Sequence, residues 1–273
     1  MPYYYHQGVS LYYEADNFKG KNDAFVFLHG LGGSTMQCKT TFTCIPSGIN
    51  MIYIDLRGNG LSDIGNPKEL SFSCLSEDVN ALVEQLGLQQ IILGGISMGA
   101  GVATKFSLNY PDKVRQLILI RVAWLNRPMR RETIENMSHI ADLIEQYDLE
   151  KAKAIYTSEQ YYLGQLKNYP YNARSNAACF DYPLAKRAVE KYRIMPLDHP
   201  INSIQELKRI QAPTLLLGNK NDPLHPFSFT EIYHKHIPHS ILREIPSKNS
   251  DPEQHFVKIN EYIKAFLVGN LVA

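Results

Sequence analysis

Cysteine is scarce in this sequence. Its 273 residues include four cysteines, at irregular spacing and without a C-x-x-C pair. This pattern excludes the common zinc-binding and dithiol redox motifs, and we expect no metal site. We interpret these residues as buried free thiols in a reducing cytoplasm, although the spacing leaves a Cys38–Cys44 bridge open. The four residues are Cys38, Cys44, Cys74 and Cys179.

The sequence also lacks a charge excess and long apolar runs. The formal net charge is +1, which gives no reason to expect nucleic acid or an anionic membrane surface as a partner. No apolar run approaches the roughly 20 residues that span a bilayer. The first residues contain no basic region followed by an apolar stretch, so we predict no signal peptide and a cytoplasmic location. Internal repeats and low-complexity tracts are absent too, and the oligomeric state stays open.

Short apolar runs are present, and they are separated by segments of helical length. Runs that are nearly continuously apolar, rather than alternating, favour strands buried on both faces of a parallel sheet. Alternating strands and helices predict an α/β fold with a doubly wound, mostly parallel sheet, and tyrosine-rich strands at 3–5 and 9–15 predict an antiparallel edge. The apolar runs lie at 24–28, 51–54, 91–93, 117–120, 214–217 and 241–245.

This alternation stops between residues 124 and 211. The segment has helical stripes and many tyrosines but no strong strand pattern. We therefore predict an α/β core formed by residues 1–123 and 212–273, with residues 124–211 inserted as a helical cap over the carboxyl ends of the strands.

The most informative motif is G-x-S-x-G, formed by Gly95, Ser97 and Gly99 directly after an apolar run. In a strand–turn–helix context, glycines on either side allow the turn to hold the serine in a strained conformation. The hydroxyl is then presented above the end of the sheet, which suits a nucleophile. In isolation the pattern is short enough to arise by chance in a glycine-rich loop.

A serine nucleophile needs two N–H donors for the developing oxyanion, a base and an orienting carboxylate. We predict the Met98 N–H as one donor. The Leu31 N–H, from the glycine-rich segment 29–33, is the second. Asp222 follows a late strand and is the predicted carboxylate, with Asp251 as the alternative.

His255 is the predicted base, because it is the only histidine in the loop that follows the last strand. The other candidates lie on or near the preceding helix, where we expect surface positions. Those candidates are His225, His234, His236 and His239.

Taken together, these motifs resemble the α/β-hydrolase fold enzymes over essentially the whole chain. The resemblance implies Ser97 as nucleophile, Asp222 as acid, His255 as base and no cofactor. It also implies that Asp55, Arg57 and Asp63 are structural. Many relatives carry the base in a Gly-His pair at a position that corresponds here to residues 248–249, which are Lys-Asn. The matching segments are 29–33, 55–63, 95–99, 218–223 and 265–267.

The sequence thus predicts a serine hydrolase that cleaves a small carboxylic ester or similar acyl substrate through an acyl-serine. His29, Gly30 and Trp124 are predicted to line the substrate pocket, although His29 and Trp124 suit structural roles as well. Lactonases, C–C bond hydrolases, peptidases and lyases share the fold and remain alternatives. A ligand-binding protein without turnover is a further alternative, which the unusual position of the histidine favours.

Overall fold

The computed structural model describes residues 2–15, 23–43, 45–182 and 184–271. Within these ranges the strands form one eight-stranded sheet in the order β1-β2-β4-β3-β5-β6-β7-β8. The strands are β1 (Tyr3–His6), β2 (Val9–Ala15), β3 (Ala24–Leu28), β4 (Asn50–Ile54), β5 (Ile91–Ile96), β6 (Val114–Ile120), β7 (Thr214–Gly218) and β8 (Ser240–Glu244).

The sheet is parallel except at one edge. Strands β3 to β8 pair in parallel, whereas β1 pairs antiparallel with β2, and β2 pairs antiparallel with β4. The central strands are buried along their whole length, as the apolar runs predicted. The predicted fold class and the antiparallel edge are therefore confirmed.

Helices cover both faces of this sheet. They are α1 (Thr35–Thr41), α2 (Phe72–Gln85), α3 (Met98–Asn109), α4 (Arg131–Gln146), α5 (Leu149–Ser158), α6 (Gln160–Asn168), α7 (Pro170–Ala177), α8 (Lys191–Ile194), α9 (Phe227–His236) and α10 (Pro252–Leu267). Alternate side chains of each strand enter opposite cores, because successive residues of a strand point to opposite faces. Val26 packs with α2, α3 and α9, whereas Phe25 and Phe27 pack with α1 and α10.

The helices α4 to α8 all lie between β6 and β7, and we call them the inserted helices. They have an apolar core of their own, which includes Ile140, Ile144, Tyr156 and Tyr192. Leu31, from the loop after β3, packs against this core and against the sheet core. The inserted helices therefore stand on the edge of the sheet where the parallel strands end. The exact division of the chain at residues 124 and 211 stays a prediction.

Within the described ranges, no helix combines the length and the apolar character needed to cross a bilayer. Cys38, Cys74 and Cys179 are free thiols. Cys44, the other half of the bridge that the sequence left open, lies outside the described residues.

Candidate active site

Ser97 occupies the turn between β5 and α3. Its backbone has φ +56° and ψ −114°, a conformation that residues with a Cβ rarely adopt. The Ser97 N–H donates to the Ile120 carbonyl at 3.0 Å, so β6 holds the turn in place. Such strain persists only where the surrounding structure enforces it, and it is concentrated at functional sites.

The two glycines beside this turn are sterically required. A Cβ on Gly99 would lie 2.3 Å from the Leu28 carbonyl oxygen, and a Cβ on Gly95 would lie 2.3 Å from the Gly99 carbonyl carbon. The turn is therefore pressed against the end of β3. This close approach brings Gly30, in the loop after β3, next to Ser97: a Cβ on Gly30 would lie 3.4 Å from the Ser97 Cβ.

Two backbone N–H groups near the turn have no hydrogen-bond partner among the described residues. Met98 is the first residue of α3, where an N–H has no partner within its helix. Over the described residues, neither Met98 N–H nor Leu31 N–H donates to a protein acceptor. The adjacent Gly30 N–H, by contrast, donates to Gln37 Oε1 at 2.8 Å. Leu31 and Met98 thus remain the predicted donors.

Asp222 follows β7 and is the most heavily hydrogen-bonded carboxylate of the site. Its Oδ1 accepts from Asn172 Nδ2 at 2.7 Å and from the Leu224 N–H at 3.2 Å. Its Oδ2 accepts from Arg121 Nη2 at 2.6 Å and lies 2.9 Å from His225 Nδ1. Burial alone would raise the pKa of Asp222, but His225 and Arg121 hold it well below its usual range. The carboxylate is therefore ionised at neutral pH.

The imidazole that contacts Ser97 belongs to His225. Its Nε2 lies 2.9 Å from Ser97 Oγ, while its Nδ1 faces Asp222. The sequence suggested a surface position on a helix, but α9 begins only at Phe227 and His225 is buried in the turn before it. Burial and the nearby Arg121 lower the pKa of His225, so the ring is neutral and has one nitrogen free to accept a proton.

His255 does not occupy the place that the sequence predicted for it. It lies in the first turn of α10, which begins at Pro252 with Asp251 as its N-cap. Its Nδ1 is 2.7 Å from the Pro246 carbonyl oxygen, and its Nε2 is buried without a protein partner in the described part of the chain. Burial lowers its pKa to about 3. Because α10 begins before His255, the helix holds this ring against Pro246, where it makes no hydrogen bond with Ser97. Asp251 caps the helix by accepting from the Gln254 N–H.

The positions that correspond to the Gly-His pair of many relatives bind the inserted helices instead. Asn249 Oδ1 accepts from the Tyr171 N–H at 2.9 Å, and Asn249 Nδ2 donates to Asn172 Oδ1 at 2.8 Å. Lys248 Nζ lies 4.6 Å from the centre of the Tyr171 ring and 4.4 Å from that of Phe256. Burial lowers the pKa of Lys248 to about 7. These residues join the β8–α10 loop to α7.

His29 is likewise structural rather than part of the cleft. It is fully buried, its Nδ1 lies 2.7 Å from the Gly30 carbonyl oxygen, and its Nε2 accepts from the Leu56 N–H at 3.0 Å. Burial lowers its pKa to about 4. Both ring nitrogens are therefore engaged by backbone groups, and the ring fixes the loop that carries Leu31.

A cleft opens beside Ser97 between the sheet edge and the inserted helices. Gly30 and Trp124, both predicted pocket residues, line it together with Arg121, Met137 and Asn176. Trp124 is buried and packs edge-on against Phe72, with ring centres 5.3 Å apart. The walls therefore combine apolar surface with a few polar groups, the usual character of a small-molecule site. Among the described residues, no group of three or more His, Cys, Asp or Glu side chains could hold a metal ion.

The segment 55–63 stabilises the structure beside the site through buried polar contacts. Asp55 accepts from the Thr35 N–H at 2.6 Å and from the Leu61 N–H at 2.8 Å. Arg57 forms a buried ion pair with Asp78, with Nε and Oδ2 2.6 Å apart. Asp63 is exposed and enters the fold through its backbone, whose N–H donates to the Ser10 carbonyl.

Arg121, Asn172 and His225 belong to this site and were missed or misjudged from the sequence. Arg121 directly follows β6 and has φ +52°, and nothing in the sequence marks it. His225 did carry a signal, because it stands three residues after Asp222 in a turn bounded by Pro223 and Pro226. In such a turn an aspartate accepts from backbone N–H groups ahead of it, which brings the third residue back towards its carboxylate.

Comparison with known proteins agrees with the fold. Residues 23–249 match the alpha/beta hydrolase fold family. A Bacillus subtilis (strain 168) protein, AB hydrolase superfamily protein YisY, is 28% identical over 272 residues, which cover 90% of this chain and 92% of that protein. The chain belongs to the α/β-hydrolase family and is a hydrolase.

Solved structures share the same architecture. The enol-lactonase from Burkholderia xenovorans LB400 superposes with a TM-score of 0.76 at 17% identity, covering 98% of this chain and 100% of the other. A thermophilic esterase from Thermogutta terrifontis gives a TM-score of 0.70 at 22% identity, covering 96% of each chain. At these identities the likeness establishes the fold alone.

Proposed function

We propose that this hydrolase cleaves a small carboxylic ester through an acyl-serine intermediate. The observation that carries the proposal is the chain of contacts from Ser97 Oγ to His225 Nε2 and from His225 Nδ1 to Asp222 Oδ2, each 2.9 Å long. A serine becomes a competent nucleophile when a neutral imidazole accepts its proton and a carboxylate orients that imidazole. The sequence predicted Ser97 and Asp222 for these roles, and the structure favours His225 over His255 as the base.

In the first half of the reaction, Ser97 Oγ attacks the ester carbonyl while His225 Nε2 takes the hydroxyl proton. The N–H groups of Leu31 and Met98 donate to the oxyanion of the tetrahedral intermediate. Collapse of that intermediate breaks the bond to the alcohol oxygen, which receives the proton from His225. The alcohol leaves, and the acyl group stays on Ser97.

In the second half, His225 takes a proton from a water molecule that attacks the acyl-serine. The Ser97 oxygen leaves with the proton that His225 returns, and the carboxylic acid is released. Asp222 holds the Nδ1–H tautomer and stabilises the imidazolium that forms twice in each cycle. Because its pKa is held far below neutral, it does so as a carboxylate.

A cyclic ester would react by the same steps, with the alcohol remaining tethered to the released acid. The B. xenovorans neighbour is named an enol-lactonase and the T. terrifontis neighbour an esterase. Both bond types therefore belong in the substrate panel. A binding protein without turnover was favoured only by the unusual histidine position, and the contact between Ser97 and His225 weighs against it.

The test combines covalent labelling with turnover. We expect a fluorophosphonate probe to label Ser97 in the wild-type protein, with hydrolysis of p-nitrophenyl acetate and of small lactones. Ser97→Ala removes the nucleophile, so labelling and turnover should both fall to background while the thermal unfolding midpoint stays within a few degrees. Full turnover by Ser97→Ala, or a wild-type protein that the probe does not label, would refute the proposal.

A further inference from the structure

Arg121 contacts both the carboxylate and the imidazole of the site. Its Nη2 lies 2.6 Å from Asp222 Oδ2 and 3.0 Å from His225 Nδ1, and its Nε lies 3.1 Å from the same Oδ2. All three side chains are at least nine-tenths buried. The contacts therefore form in a region of low dielectric, where each is stronger than in water.

These contacts place conflicting demands on one ring nitrogen. An arginine guanidinium can only donate, and an ionised carboxylate can only accept. If His225 Nδ1 carries the proton, it donates to Asp222 Oδ2 at 2.9 Å and opposes an N–H of Arg121. If Nδ1 is bare, it accepts from Arg121 and opposes the carboxylate.

The choice decides what Nε2 offers to Ser97. With the proton on Nδ1, Nε2 is bare and accepts the Ser97 hydroxyl proton. With Nδ1 bare, Nε2 carries the proton and faces Ser97 Oγ as a donor, which cannot act as a base. The distances of Nδ1 to the two partners, 2.9 Å and 3.0 Å, differ by only 0.1 Å, so neither partner has a clear geometric advantage.

We propose that Arg121 is a positioning residue that sets which ring nitrogen of His225 carries the proton. This inference rests on the proposed function, in which His225 is the base. Arg121 shares Oδ2 with the imidazole and offers its own N–H to Nδ1, so it competes with Asp222 and lowers the population of the Nδ1–H tautomer that activates Ser97. Its side chain also lines the cleft, where substrate enters.

The charge around His225 adds a second consequence. The charged groups that face it are Arg121 from the end of β6, Asp222 from its own turn, and Lys248 from the β8–α10 loop. Burial, Arg121 and Lys248 lower the pKa of His225, whereas Asp222 raises it. Removing the Arg121 charge should therefore raise this pKa and move the acidic limb of kcat/KM to higher pH.

Nitrogen-15 NMR of the histidine rings tests the proposal without requiring turnover. The His225→Gln variant assigns the His225 signals. Arg121→Met keeps an unbranched side chain without a donor. In this variant we expect the nitrogen-15 chemical shift of Nδ1 to be that of a protonated ring nitrogen and the chemical shift of Nε2 to be that of an unprotonated one. In the wild-type protein we expect both nitrogens at averaged chemical shifts, because Asp222 and Arg121 compete for Nδ1. The midpoint of the acidic limb of the pH profile of kcat/KM should move to higher pH by about one unit in Arg121→Met.

Arg121→Lys separates the effect of the Arg121 hydrogen bonds from the effect of its charge. It also replaces Arg121→Met as the test variant if Arg121→Met does not fold. A lysine keeps the positive charge but lacks the planar fork that reaches both partners. We expect its NMR shifts to follow Arg121→Met and its acidic limb to stay near the wild-type position. Wild-type NMR shifts in the folded Arg121 variants would overturn the proposal. Loss of labelling at Ser97 would instead count against the proposed function, because the NMR readout is independent of it.

Discussion

Nε2 of His225 lies 2.9 Å from Oγ of Ser97, although 128 positions separate the two residues in the chain. Ser97 stands at the end of β5 and His225 in the turn after β7, with β6 between these strands in the sheet. In a parallel sheet, the carboxyl ends of all strands meet at the same edge, which is why residues so distant in sequence contact each other. The proposed chemistry depends on this contact between Ser97 and His225.

The serine turn should tolerate no side chain at Gly99. A Cβ there would lie 2.3 Å from the Leu28 carbonyl oxygen, so Gly99→Ala must displace β3 or α3. We expect the free energy of unfolding, measured by urea denaturation, to fall by about 3 kcal/mol or more. Gly164→Ala is the control, because a Cβ on Gly164 has no neighbour within 4 Å.

At Gly164, an exposed position within α6, alanine should leave stability unchanged or raise it by up to about 1 kcal/mol. Equal stability losses in the two variants would mean that the close approach of the serine turn to β3 is not a feature of the protein.

Asn172 links the inserted helices to the carboxylate of the site. Its Nδ2 donates to Asp222 Oδ1 at 2.7 Å, so Asn172→Ala leaves that oxygen to its backbone donors. We expect kcat for p-nitrophenyl acetate to fall by about tenfold, equivalent to about 1.4 kcal/mol of barrier.

The control is Asn168→Ala, at an exposed asparagine of α6 whose side chain donates to the Gly164 carbonyl. This variant should retain wild-type kcat. An unchanged kcat in Asn172→Ala would show that the inserted helices do not help to position Asp222.

Buried neutral histidines should make the protein less stable in mild acid. Burial lowers the pKa of His255 to about 3 and that of His29 to about 4, from the ordinary 6.5 that the unfolded chain keeps. Below pH 6.5 the unfolded state binds protons that the folded state refuses, so stability falls with falling pH. Above pH 6.5 neither state binds them and this contribution is constant.

Each of these rings should cost about 2 kcal/mol of unfolding free energy between pH 7.5 and pH 5. His255→Gln removes one titrating group and keeps a donor for the Pro246 carbonyl. Between pH 7.5 and pH 5 its unfolding free energy should therefore fall by about 2 kcal/mol less than that of the wild-type protein. Urea denaturation at pH 7.5 and pH 5 measures the slope of unfolding free energy against pH in the variant and in the wild-type protein. Parallel slopes in the variant and the wild-type protein would contradict the assignment of His255 as a buried neutral ring.

The fold was predictable because its signals are local. The strands at 24–28, 91–96 and 214–218 consist of apolar residues and glycine apart from Thr214, and each is buried on both faces. The serine turn was predictable for the same reason, since steric contacts within and beside β5 and α3 dictate Gly95 and Gly99.

The histidine could not be chosen in this way. Its identity depends on where α9 and α10 begin, and a shift of a few residues at each helix start decides between His225 and His255. Helix boundaries are set by caps and packing rather than by periodicity. Arg121 was hidden for a related reason, because its role arises from the left-handed backbone at the end of β6 and the neighbouring turn after β7.

The most direct measurement compares kcat/KM for p-nitrophenyl acetate in His225→Gln and His255→Gln, two replacements of a buried imidazole by the same amide. We predict that His225→Gln lowers kcat/KM by at least about a thousandfold, whereas His255→Gln keeps it near the wild-type value. Retention of activity in His225→Gln, together with its loss in His255→Gln, would contradict the account.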